Sequence, residues 1–295
     1  MNQLNQLNQR LWRPLFIVIL AGTILSGAAE AYAQTGPRVV TGTLSLIWQG
    51  KSSPDDIAVG SDDSIYFGDL TAHAVLRLPA NASVNAVPEV VWPSLGEPEG
   101  IIYLPDNTLI VADQQTNRLY RIDLELRTMV PVYDVGNKTN NPGIDGIGLD
   151  PLNGDILVPD SPTGRILRIP VLPVPGQKAT TILSGYKRPT SVAMSLYGTL
   201  YICDEYGGRI YRVAPNGKQT VIAEMSLPDD VVLDSKGNVL VNSLQGTIWE
   251  INPATNRKTA LVVGLKAPHG LALDSHGNVI IADATLNQIY RLVLP

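Results

Sequence analysis

An all-β fold, a six-bladed β-propeller, is what this sequence predicts, and three observations predict it. One six-residue pattern recurs six times. Each copy is followed by short runs rich in Val, Ile, Leu, Thr and Tyr, separated by Gly, Asn and Asp clusters. Outside the N-terminal stretch, no 12-residue segment shows a helical period.

The copies read Pro54-Asp-Asp-Ile-Ala-Val, Pro98-Glu-Gly-Ile-Ile-Tyr, Ile144-Asp-Gly-Ile-Gly-Leu, Pro189-Thr-Ser-Val-Ala-Met, Pro228-Asp-Asp-Val-Val-Leu and Pro268-His-Gly-Leu-Ala-Leu. Their starts lie 44, 46, 45, 39 and 40 residues apart. A period of this size marks a repeat architecture, in which one unit cannot bury its apolar face without neighbours. The runs after each start suit half-buried strands. The turns between them, such as Pro105-Asp-Asn, Leu196-Tyr-Gly and Ser275-His-Gly-Asn, tolerate positive φ or bond their own backbone. Four antiparallel strands per unit at this spacing describe propeller blades.

Taken in order, residues 1–33 read as a signal peptide: Arg10 and Arg13, an apolar run from Leu15 to Ala29, and Ala31-Tyr32-Ala33 before Gln34. The run is shorter than the roughly 20 residues that a membrane span needs. The expectation is a secreted or periplasmic protein with no stable membrane insertion after cleavage. Residues 34–41 form a short N-terminal segment, and 42–295 the propeller. The sixth copy ends after its third strand, Gln288 to Leu292, so the strand Gly42-Thr-Leu-Ser-Leu-Ile-Trp48 is expected to complete that blade and close the ring, leaving no edge between blades.

Without residues 1–33, which carry Arg10, Arg13 and Glu30, the net charge moves from −5 to −6. An acidic chain without a basic run does not grip phosphates, so nucleic acid is excluded as a partner. Cys203 is the only cysteine, so no internal disulfide forms. A monomer acting on a small molecule is the expectation.

The second residue of each copy falls on a ring at one mouth of the central channel: Asp55, Glu99, Asp145, Thr190, Asp229 and His269. Like charges converging on one axis raise each other's pKa or recruit a cation. Oxygen-rich sets suit calcium, magnesium or manganese, and a single imidazole is few for zinc. A second ring ends each second strand: Asp69, Asp113, Asp160, Asp204, Ser243 and Asp283. Its regularity points to turn capping rather than chemistry. Cys203 reads as packing. Two connections break the rhythm, 134–143 and 170–177, and the first is the better place for substrate recognition.

The consensus Pro-x-Gly-Ile-Ala-(Val/Leu)-Asp, Gly-Asn-Val-x-Ile-Ala-Asp and Asn-x-(Ile/Leu)-Tyr-Arg resembles NHL-type repeats. It is similar also to the gluconolactonase/regucalcin (senescence marker protein) superfamily of six-bladed propellers, over about residues 42–295. That resemblance implies a divalent ion (calcium, magnesium, manganese or zinc) in the channel, polarising a lactone or ester carbonyl. Glu99-Gly100 matches the family's Glu-Gly. Asp229 matches its Pro-Asp-Gly aspartate, with Asp230 in place of Gly. Thr190-Ser191 stands where the family has Asn-Gly. By this resemblance Glu99, Asp145 and Asp229 are the metal ligands, Asp229 or Asp145 the general base, and His269 a substrate contact, with Thr190 and Asp55 beside it on the ring. Pro268-His269-Gly270 also resembles the Pro-His-Gly of paraoxonase-like propellers. The competing expectation is a non-catalytic NHL-type propeller that binds a protein, glycan or small ligand, with Trp92, Tyr103 and Tyr206 as contacts.

Overall fold

The computed structural model describes residues 37–136, 143–171 and 178–295. The expected signal peptide lies outside the described residues, as do 137–142 and 172–177 of the two irregular connections. Six antiparallel sheets follow one another along the chain, one per repeat, and build a six-bladed β-propeller. In blade two, for example, the strands are Pro98–Leu104, Thr108–Asp113, Arg118–Asp123 and Thr128–Asp134, from the channel outward. Among the described residues, no helix is long and apolar enough to cross a membrane.

The core is not one central mass. Six apolar clusters occur, each between two consecutive blades. Ala58, Tyr66 and Val75 of blade one meet Ile101, Leu109 and Val111 of blade two, and the pattern repeats around the ring. Second strands are therefore covered on both faces. Every residue of Ile65–Asp69, Thr108–Asp113 and Val279–Asp283 is buried, which is why these runs read as continuously apolar rather than alternating.

Closure follows the expected route. Thr43–Gln49 pairs antiparallel with Gln288–Val293, from Thr43 against Val293 to Gln49 against Gln288. Trp48, 2 % exposed, lies 5.2 Å from the Phe67 ring of blade one and donates its indole N–H to the Ala86 carbonyl at 2.9 Å. The segment before it adds something the repeat does not encode. Arg38–Val39 pairs with Val262 and Val263 as a fifth strand on blade five. The N-terminal segment thus grips two neighbouring blades.

One irregularity positions the site. In all but the third blade, the register between first and second strands shifts just after the opening proline. Pro98 faces Asp113, yet Gly100 faces Ala112, and Pro54, Pro189, Pro228 and Pro268 are followed by the same kind of break. Such a bulge re-aims the side chains that it carries, and it falls on the second and third positions of each repeat. Blade three departs further. Its innermost strand is only Gly148–Leu149. A Cβ on Gly148 would stand 2.1 Å from the Val192 carbonyl oxygen, so glycine lets the two backbones approach.

Candidate functional site

Of the second-position side chains, Asp55, Glu99, Asp145, Asp229 and His269 interact around one mouth. His269 is the hub of one half. Its Nδ1 lies 2.9 Å from Asp55 Oδ1 and 3.5 Å from Asp229 Oδ2. Nε2 makes no hydrogen bond to the described residues, and the side chain is 29 % exposed. Burial works against the imidazolium, but the two carboxylates, Asp55 foremost, outweigh it and raise the His269 pKa to about 10. His269 is therefore a cation at neutral pH, with an N–H facing the mouth.

The other half is built around a residue that the repeat pattern did not single out. Arg188 precedes the fourth repeat. Its Nη2 donates to Asp145 Oδ2 at 2.8 Å, and its Nη1 pairs with Glu205. The guanidinium lies 5.4 Å from the centre of the Tyr206 ring, which is exposed. Burial pushes the Asp145 carboxyl up, Arg188 draws it back, and it titrates at about 6. Burial and the charges of Asp145 and Asp55 push Glu99 up to about 10, so it is protonated at neutral pH. Gln114 donates to it. Asp229 is also raised by burial, with the His269 cation opposing.

Why these extra residues gather here is visible in the backbone. In every blade but the third, the residue after the second-strand end donates its N–H to the carbonyl of the residue before the repeat. Leu70 bonds Ser53, Gln114 bonds Glu97, Glu205 bonds Arg188, Leu244 bonds Leu227 and Ala284 bonds Ala267. Both positions therefore sit on the rim of the mouth in blade after blade. Arg188, Glu205, Gln114 and Glu97 are among the side chains that occupy them.

The third positions lie one step deeper. Asp56 Oδ2 accepts from the Ile101 N–H of the next blade, and Asp230 Oδ2 accepts from Leu271 N–H, at 2.8 and 2.7 Å. Where this position is glycine there is no room for more. A Cβ on Gly100 would stand 2.4 Å from the Asp145 carbonyl oxygen. Thr190, expected as a substrate contact, is 1 % exposed and donates its hydroxyl to the Asp229 carbonyl at 2.7 Å. It ties two blades together and does not face a ligand. Asp55, placed with it, is 6 % exposed on its side chain and engages His269.

The strand-end ring caps turns, as its regularity implied. Asp113 accepts from the N–H groups of Gly96, Glu97 and Gln115, and Asp283 from those of Lys266, Ala267 and Leu286. Cys203 is buried between blades four and five, its thiol pushed up by burial.

Glu99 and Asp229 thus each feel the charge of Asp145. They do not make a ligand set for a divalent ion as they stand. The Asp145 carboxylate is bound by Arg188, and among the described residues no three His, Cys, Asp or Glu side chains are grouped to hold one cation.

Searches of family models and of curated proteins find no match to the chain. Solved structures do match. A gluconolactonase from Xanthomonas campestris superposes with a TM-score of 0.73 at 15 % identity, over 88 % of this chain and 95 % of its own. The fold they share with this chain is the six-bladed β-propeller. A catalytically inactive virginiamycin B lyase from Staphylococcus aureus, solved with quinupristin, gives a TM-score of 0.66 at 12 % identity, over 86 % and 99 % of the two chains. A chain of a nidogen/laminin complex gives 0.66 at 18 %, over 76 % and 87 %. A gluconolactonase, a virginiamycin B lyase and a chain of a nidogen/laminin complex share this architecture, so chemistry has to be argued from the mouth itself.

Proposed function

We propose that the chain is a hydrolase of a small lactone or ester, acting at the channel mouth. One observation carries the reading. A carboxyl raised to about 6 and an imidazole raised to about 10 lie close enough at the channel mouth for each to shift the other, and an acid–base pair with pKa values pushed apart suits acyl hydrolysis. Asp145, ionised at neutral pH, takes a proton from water, whose oxygen bonds to the carbonyl carbon. His269 donates from Nε2 to the oxygen that leaves as the C–O bond breaks. The proton on Asp145 then returns to His269, directly or through solvent, and restores both groups. Asp55 and Asp229 keep the imidazole charged and fix its orientation through Nδ1. Arg188 holds Asp145 in place and keeps its pKa from rising further. No step is routed through a metal. An ion at Asp145 would first have to displace Arg188.

The test is turnover of a panel of aldonolactones and simple esters across pH. kcat/KM should rise through about pH 6, as Asp145 ionises, and fall through about pH 10, as His269 loses its proton. His269→Asn and Asp145→Asn should each cost about 100-fold or more in kcat. A chelator should leave the rate unchanged. A folded protein that turns over nothing on the panel, yet binds a ligand at Arg188 and Tyr206, would replace this reading with the binding module.

A further inference from the structure

The second-position ring stands at the start of each first strand, so the turns that follow the first strands lie on the face away from the charged mouth. On that face a cleft of about 570 Å³ separates blades one and two. Its volume falls within the usual range of small-molecule sites, roughly 300–1,000 Å³. Ser61 and Asp62, after the first strand of blade one, and Asn107, after that of blade two, form its lip.

The repeat does not account for what lines this cleft. In each inter-blade cluster, one side chain from a second strand joins the sixth position of a neighbouring repeat. The pair is Ile110 with Leu149, Leu157 with Met194, Tyr201 with Leu233, Leu240 with Leu273 and Ile280 with Val59. Between blades one and two alone, both are aromatic: Tyr66 and Tyr103, with ring centres 5.9 Å apart and planes inclined by 21°. Aliphatic pairs fill the same space elsewhere, so packing does not call for two phenol hydroxyls. A tyrosine hydroxyl taken out of water needs a partner. Tyr103 has two: it donates to Asn107 Oδ1 at 3.0 Å and lies 3.2 Å from the Ser61 hydroxyl. Tyr66, only 5 % exposed, has no such partner for its hydroxyl among the described residues. Only the Arg77 guanidinium stands over its ring, 5.9 Å from the centre.

The charges in the wall are matched to one another. Arg77 lies 3.0 Å from Asp62 and 3.4 Å from Glu89, and Arg127 lies 3.6 Å from Glu89. Asp123 accepts from the N–H groups of Glu125 and Leu126. An ionic ligand would have to break one of these pairs. A neutral ligand would not, and the wall offers it donors and acceptors side by side. A hydroxyl donates and accepts at once, so a molecule built of hydroxyls suits this mixture. The remaining wall, Val91 and Leu124 among it, is apolar and suits the C–H face of a sugar ring.

We propose that the cleft between blades one and two is a binding site for a neutral saccharide of one or two rings, its hydroxyls bonded to Tyr66, Asn107 and Asp62. The site lies away from the mouth that carries the hydrolase reading and does not depend on it.

The probes are maltose, cellobiose and lactose, with gluconate as the anionic polyol, each titrated into the full chain at neutral pH and followed by calorimetry. The expected result is one saturable site for at least one of the three disaccharides, with gluconate at least tenfold weaker at that site. Tyr66→Phe removes a hydroxyl and keeps the ring, so it should weaken the sugar at least tenfold in a protein whose melting temperature is retained. Asn107→Gly should do the same. Asn107 has φ +61°, which glycine adopts without strain, so this variant keeps the test open should Tyr66→Phe fail to fold. No saturable binding of any disaccharide overturns the proposal. So does sugar binding that both variants retain and Asp229→Asn abolishes, since that places the sugar in the charged mouth. Gluconate binding as tightly as the disaccharides, and lost in Tyr66→Phe, overturns the neutral assignment.

Discussion

Among the described residues of the mouth, His269 and Arg188 are cations, and each is clamped by a pair of carboxyls. The arrangement is costly to disturb, because removing one partner leaves a buried charge unmatched. Arg188→Gln makes the separate roles visible. Arg188 lowers the Asp145 pKa, so its loss should move the acid limb of the pH–rate profile above 6 while leaving the alkaline limb in place. An unchanged acid limb would show that Asp145 is not the group being titrated. At this scale the sequence was half legible. The ring from Asp55 to His269 could be read because repeat register alone fixes which position faces the channel. Arg188, Glu205 and Gln114 could not, since each lies outside the six-residue pattern, and Arg188 meets Asp145 across 43 residues of chain. The bond from the Thr190 hydroxyl to the Asp229 carbonyl was not legible either, because register says where a side chain starts, not which carbonyl it finds.

The bulged opening of each first strand is the element that makes a site out of a blade. It turns two consecutive residues inward, one toward solvent in the mouth and one against the next blade. That is why the third position holds either glycine or a side chain that bonds the neighbour, Asp56, Ser191 or Asp230. Gly100→Ala should destabilise the protein by about 1–3 kcal/mol, as overpacking typically does, because its Cβ would stand 2.4 Å from the Asp145 carbonyl. The same clash moves Asp145, so kcat should fall along with the denaturation midpoint. A variant with lost stability and unaltered kcat would separate the bulge from the chemistry. Strand positions themselves were readable from turn chemistry: the expected run at Gln288 to Leu292 is observed as Gln288–Val293. Blade three was less so, because only Gly148–Leu149 of its innermost segment pairs with the second strand, and spacing does not reveal that.

For the molecule as a whole, the raised groups have a common sign. Folding lifts His269 from 6.5 to about 10, so its contribution is fully present below pH 6.5 and is lost as pH rises through 10. Glu99, lifted from 4.5 to about 10, and Asp145, lifted from 3.8 to about 6, favour the protonated form in the folded state, and ionising them costs stability as pH climbs through these ranges. All three bind more protons folded than unfolded, so stability should decline from about pH 5 to pH 9. Thermal melts would show it as a falling midpoint, and a midpoint that rises over that interval would contradict the assignment. Ring closure makes a second whole-molecule prediction. Deleting residues 34–49 removes Trp48 from between blades six and one and bares the Gln288–Val293 edge, with aggregation or a large loss of stability as the expected outcome. A truncated chain that melts like the full one would show that the latch is dispensable.

The latch also orders events in time. Gln49 finds its partner Gln288 across almost the entire chain, and joining ends so distant costs about 5 kcal/mol of loop entropy before any contact repays it. Blades one to five can assemble from neighbouring segments as they are synthesised. The strand bearing Leu44, Leu46 and Trp48 cannot. It must wait with its apolar side uncovered until the last hairpin is made, and through that interval the growing chain depends on whatever shelters it in the cell.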